Sequence, residues 1–115
     1  MRQFEESTLE AEEAGCAALA RFFPEASQVR VPVQVTALRG GNARLREASV
    51  VEFATPEHAI LVTSLPLEFD DKVRLEGSRK MYSVDATVVG VQYHGEQKAV
   101  ALKLLRGPCH WMMQP

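Results

Sequence analysis

Histidine, cysteine and clustered carboxylates are the side chains most able to do chemistry, and this sequence has few of the first two. His58, His94 and His110 are the histidines, and Cys16 and Cys109 the cysteines. A zinc site needs three or four converging nitrogen, sulfur or carboxylate ligands, and no spacing here supplies them. Cys109 and His110 are adjacent in the chain, which is awkward for chelation. A nucleophilic pair there would also lack the third group that orients the base. Asp70-Asp71 falls in a turn and Asp85 on a solvent-facing strand position, so these carboxylates read as solvated surface. Gly40-Gly41 is followed by no Lys-Ser/Thr and opens no helix, which excludes a phosphate-cradling loop. The expectation is a protein that binds without catalysing, with no metal and no cofactor.

Charge narrows the partners. The 115 residues carry a formal net charge of -2. Residues 1–28 hold six glutamates against two arginines, and residues 29–115 hold nine acids against eleven Lys and Arg. A body this balanced creates no long-range field to gather nucleic acid or an anionic membrane. Tyr82 and Tyr93 do not interleave with basic residues as a base-stacking platform requires. The basic residues Arg39, Arg44, Arg46, Arg79 and Lys80 fall around two turns and read as a charged face. Two distant cysteines without a CxxC motif fit free thiols and a reducing compartment. The amino terminus is acidic where a signal peptide is basic and then apolar, and no apolar run approaches the ~20 residues of a membrane span. The cytoplasm is the expected location.

The elements that would position these residues follow from hydrophobic period. Residues 1–26 read as an amphipathic helix. Ser7 and Glu10 form a possible capping box, and the acidic start suits the helix dipole. Leu9, Cys16, Ala20 and Phe23 line one face, while Phe4, Ala11, Ala18 and Phe22 form a neighbouring stripe. Pro24 is the stop signal. Two apolar stripes allow one to cover the chain's own body and the other to meet a neighbour, or both to be buried on one body.

From Gln28 the period changes to two. Val29, Val31, Val33 and Val35 alternate with Arg30, Pro32, Gln34 and Thr36, which predicts a half-buried strand with an edge or a bulge at Pro32. Further strands are predicted over about 43–53, 59–63, 72–75, 82–93 and 99–105, with Gly90 marking a bulge or corner in the fifth. Six short strands without crossover helices predict an all-β, six-stranded antiparallel barrel over residues 27–107. Residues 108–115, with Trp111, Met112 and Met113, form an apolar tail suited to packing back or to an interface.

The stretch from Ser27 to Trp111 resembles a PilZ domain, the bacterial module known for binding cyclic di-GMP. The resemblance rests on Thr55-Pro56-Glu57-His58-Ala59-Ile60-Leu61, Leu65-Pro66-Leu67, Asp70 and Val73-Arg74-Leu75. It extends to Val84–Val89 and Ala99–Leu105 as the last two strands. Binding members carry Arg-x-x-x-Arg at the barrel entrance and Asp/Asn-x-Ser-x-x-Gly on the following strands. Planar guanidinium forks grip phosphates and guanine edges. Here Ala26 stands four residues before Arg30, and the second motif reads Phe53, Thr55 and His58. The resemblance therefore implies a degenerate PilZ-like adaptor in bacterial signalling. It would act through a protein partner or self-association, with Leu9, Cys16, Phe22, Phe23, Trp111 and Met112 as interaction residues. Two alternatives stand beside it. One is a cyclic di-GMP or related nucleotide sensor with a non-standard site at Arg30, Thr55 and His58. The other is a small nucleic-acid-binding barrel.

Overall fold

A computed structural model describes residues 15–38, 45–78 and 82–106. Leu9, Trp111, Met112, Cys109, His110 and the Gly40-Gly41-Asn42 turn lie outside these described residues. Six strands appear: β1 Ser27–Ala37, β2 Arg46–Thr55, β3 His58–Thr63, β4 Lys72–Glu76, β5 Ser83–His94 and β6 Gln97–Leu104. They close into an antiparallel barrel in the order β1-β2-β3-β6-β5-β4. The predicted architecture is the observed one, with residues 15–20 helical before the first strand.

Alternation works as expected along most strands. The barrel interior collects Val31, Val33 and Val35 from β1, Val51 and Ala54 from β2, and Ala59 and Leu61 from β3. Val73, Leu75, Val84, Ala86, Val88, Val100, Leu102 and Leu104 complete it from β4, β5 and β6. Leu65 and Leu67 plug the mouth between β3 and β4. Their tight turn is fixed by Leu67 N–H to Leu65 C=O at 2.7 Å and by Leu65 N–H to the Thr63 hydroxyl at 3.0 Å. Glu47 braces the same turn, accepting from the Thr63 hydroxyl at 2.6 Å, the Ser64 amide at 3.0 Å and the Ser64 hydroxyl. Burial pushes the Glu47 carboxyl up, but these donors together outweigh it and hold it below the usual range.

Three irregularities shape the barrel. The β1–β2 register shifts between Gln28 and Val31, next to the predicted site at Pro32. β4 pairs β1 only over Gln34–Ala37, so Pro32 owes no amide to that neighbour. The β2–β3 register shifts between Val51 and Phe53. The β5–β6 register shifts between Val88 and Gly90, which places the predicted bulge there. The turn at Gly95 has φ 64° at its first central position, the pattern glycine serves in a two-residue hairpin.

Some sequence expectations need correction. The helix ends at Ala20, not at Pro24. Phe22 N–H to Leu19 C=O at 3.0 Å and Phe23 N–H to Ala20 C=O at 2.9 Å tighten the chain into turns first. The residue before a proline disfavours helical geometry, and here the unwinding begins earlier still. β2 extends two residues past Phe53 because Pro56-Glu57 alone makes the turn and Thr55 pairs with His58. Thr36, expected on the solvent side of β1, is buried where β1 is paired on both sides, with Arg46 and Arg74 as its cross-strand neighbours. Among the described residues its hydroxyl finds no hydrogen-bond partner. No helix among the described residues is long and apolar enough to cross a membrane.

Candidate functional site

β3 and β6 are apolar on both faces, and the second face is what receives the amino-terminal segment. His58, Ile60 and Val62 alternate away from the interior residues Ala59 and Leu61. On β6, Ala99 and Ala101 alternate away from Val100 and Leu102. Cys16 and Leu19 pack on Ile60, Ala99 and Ala101, with Ala20, Phe23, Phe53, Val62 and Val89 around them. Small residues allow this approach. A methyl group at Gly90 would lie 3.4 Å from Leu19 Cδ2, and one at Gly15 would lie 3.4 Å from Ala99 Cβ.

This packing assigns the stripes. Cys16 is a core residue of the helix–barrel contact, at 1% exposure, so its side chain packs on this chain's own barrel. Burial pushes its thiol up to about 12, and the nearby Glu52 carboxylate adds to the effect by charge and by hydrogen bonding. A thiol held protonated in this way is a poor nucleophile. Phe23, from the same stripe, is partly buried in the cluster. Phe22, from the other stripe, is 78% exposed.

Past the helix end, the turn Phe23–Ala26 runs beside the β2–β3 hairpin. Phe22, Phe23, Pro24 and Glu25 face Thr55, Pro56, Glu57 and His58 across a groove of about 420 Å³. The hairpin side is held by hydrogen bonds. The Thr55 hydroxyl accepts from the Glu57 amide at 3.1 Å, and Leu104 N–H donates to Glu57 C=O at 2.8 Å. His58 Nδ1 lies 3.1 Å from the same hydroxyl. Because that hydroxyl already accepts from Glu57, its own proton is free to donate to the ring nitrogen of neutral His58. The imidazole stacks on Phe23, with centroids 4.6 Å apart and planes at 45°.

Of the three residues expected around a nucleotide, Thr55 and His58 therefore meet, and Arg30 does not line the groove. Arg30 sits at the bulge between Gln28 and Val31, several residues along the ladder from the Thr55–His58 pair. Phe53 belongs to the outer cluster under the helix, so the floor beside Thr55 is filled by aromatic packing. Pro24, Glu25, Pro56 and Glu57 enter the site although the sequence reading gave none of them a binding role. Such residues signal punctuation locally, and only the closed barrel sets the two punctuation points side by side. Among the described residues no three His, Cys, Asp or Glu side chains gather as a metal site would require.

The state of His58 is set by its surroundings. Burial lowers its proton affinity below the ordinary imidazole value, the Glu57 carboxylate opposes this, and Lys103 on β6 reinforces it. The folded chain thus binds fewer protons at this site than the unfolded chain near pH 6.5. The contribution is complete above the unfolded value and is lost as pH falls through the lower, folded one. The expected result is a decline in urea stability on acidification through that window, and His58→Gln should flatten it. A wild-type profile that matches the variant's would remove the imidazole from this role.

No family model matches the sequence, and no curated protein matches it. Among solved structures, the barrel is similar to that of the Bacillus subtilis inhibitor of motility, MotI/DgrA, a PilZ-domain protein. The match has a TM-score of 0.53 at 12% sequence identity, and covers 76% of this chain and 44% of that one. This chain thus spans less than half the length of that protein. With six antiparallel strands closed in this order and a helix on the outer face, the fold is PilZ-like.

Proposed function

We propose that the chain is a non-catalytic PilZ-like adaptor that works through protein contact, with a partner or with a second copy of itself. The observation that carries this reading is the groove between the amino-terminal turn and the β2–β3 hairpin. Its lining carries Glu25 and Glu57 where a cyclic dinucleotide needs guanidinium groups, and its rim carries an exposed Phe22. Two carboxylates repel phosphates at short range, and an aromatic ring left in water is typical of a surface that meets another protein.

Calorimetry with cyclic di-GMP and sedimentation across micromolar chain concentrations test the reading together. The expected outcome is no nucleotide heat at micromolar concentration. Micromolar or tighter nucleotide binding, abolished by Arg30→Ala, would overturn the adaptor in favour of a sensor. A strict monomer in the centrifuge removes self-association and leaves a distinct partner. Self-association weakened by Phe22→Asp would place that aromatic in the contact.

A further inference from the structure

The groove has a more specific chemistry than a generic protein contact. The Glu25 and Glu57 side chains accept no hydrogen bond and form no ion pair among the described residues, yet both line the same 420 Å³ space. Among the described residues, Arg21 beside Phe22 and Lys103 across from His58 are exposed and do not line it. Phe22, Phe23, Pro24 and Pro56 line the groove together with Thr55 and His58, so its walls mix apolar and polar surface and its carboxylate charges are of one sign. His58 is held towards its neutral form and supplies no compensating charge.

We propose that this groove binds a segment of a partner protein that presents an arginine beside an apolar side chain. A guanidinium offers five donors in a plane, enough to bridge two carboxylates, and its face stacks on an aromatic ring such as Phe22. Cation–π contact and charge-assisted hydrogen bonds then act on the same group. The neighbouring apolar side chain would lie along Phe23 and Pro56. The volume falls in the lower part of the range for small binding pockets, about 300–1,000 Å³. This inference rests on the adaptor reading and names the chemistry of its partner.

The test uses the full chain, labelled with ¹⁵N, titrated separately with acetyl-Leu-Arg-amide and acetyl-Leu-Glu-amide. With the arginine probe, amide shifts should concentrate at residues 22–25 and 55–58 and saturate at concentrations on the order of millimolar. Added salt should weaken them. The glutamate probe should leave those amides unmoved, and Glu25→Gln with Glu57→Gln should weaken the arginine probe at least about tenfold, as expected when two charge-assisted contacts become neutral ones. Equal responses to both probes, no response to arginine, or full response in the double variant would each overturn the proposal. A response that appears only in Trp111→Ala would also overturn it, because the chain's own tail would then be the occupant. None of these outcomes depends on the nucleotide titration, so the adaptor reading and its chemistry fail separately.

Discussion

Ile60→Ala should lower the stability of the chain by about 2–5 kcal/mol and loosen the helix without opening the barrel. Ile60 is fully buried, yet it is not a barrel-interior residue. It stands on the outer face of β3, beneath Cys16 and Leu19, and is the largest fully buried side chain of that contact. Truncation leaves a cavity between the helix and the sheet, and the helix cannot close it fully. Gly90 already sits close under the Leu19 side chain, and Gly15 close over the Ala99 methyl group. A domain of this size is stabilised by only about 5–15 kcal/mol, so the loss is a large share of the total. Urea denaturation followed by circular dichroism measures the loss. Hydrogen exchange should accelerate first at residues 15–23, while the β3–β6 ladder stays protected. A change below about 1 kcal/mol would mean that the helix does not depend on this seat. The same packing carries Phe22 to Glu25 up to the β2–β3 hairpin, so the groove depends on it.

The second large effect belongs to Lys98. It occupies an inward position on β6 and is only 8% exposed, an unusual place for an ammonium group. Its stem fills the barrel mouth while Nζ donates to Leu67 C=O at 2.8 Å. Nζ also sits 5.1 Å from the centre of the Tyr93 ring, and the Glu68 carboxylate lies 4.0 Å away. Tyr93 in turn donates to Glu68 at 3.0 Å. The loop between β3 and β4 is thereby fastened across the barrel to β5 and β6. Glu68 is largely exposed, so the ion pair itself contributes little. The bond to Leu67 C=O is the strong one, because it is charge-assisted and shielded from water. Lys98→Ala should cost about 2–3 kcal/mol, combining the lost bond with an unsatisfied buried carbonyl. Lys98→Met keeps the stem and loses only the donor, so it should recover part of that cost. Tyr93→Phe should cost less than either. If methionine equals or exceeds the native stability, packing rather than the hydrogen bond holds the loop.

His58 shows how much of the site was open to sequence reading. Its type, its neighbour Thr55 and its place beside a turn were all legible, and so was the absence of an arginine four residues before Arg30. What lies over the imidazole was not. Phe23 is 35 residues away in the chain and reaches the ring only because the helix seats on β3 and β6. A signal for that seat was present. Ala59-Ile60-Leu61-Val62 and Ala99-Val100-Ala101-Leu102 are continuous apolar runs, the pattern of strands covered on both faces. Strict alternation, as in β1, marks a strand with one face in water.

The sequence by itself determined the six strands, the barrel they close into, the bulge at Gly90 and the absence of an arginine four residues before Arg30. Each of these depends on period-two alternation, glycine and proline stereochemistry or residue type, which act within a few positions along the chain. Tertiary structure alone decided that Lys98 turns inward to a loop carbonyl and that Glu25 and Glu57 share one groove. These outcomes depend on which distant surfaces barrel closure brings together, and no local pattern encodes them. The physical reason is that burial and charge pairing are set by neighbours in space. For this chain those neighbours lie about thirty residues apart in sequence.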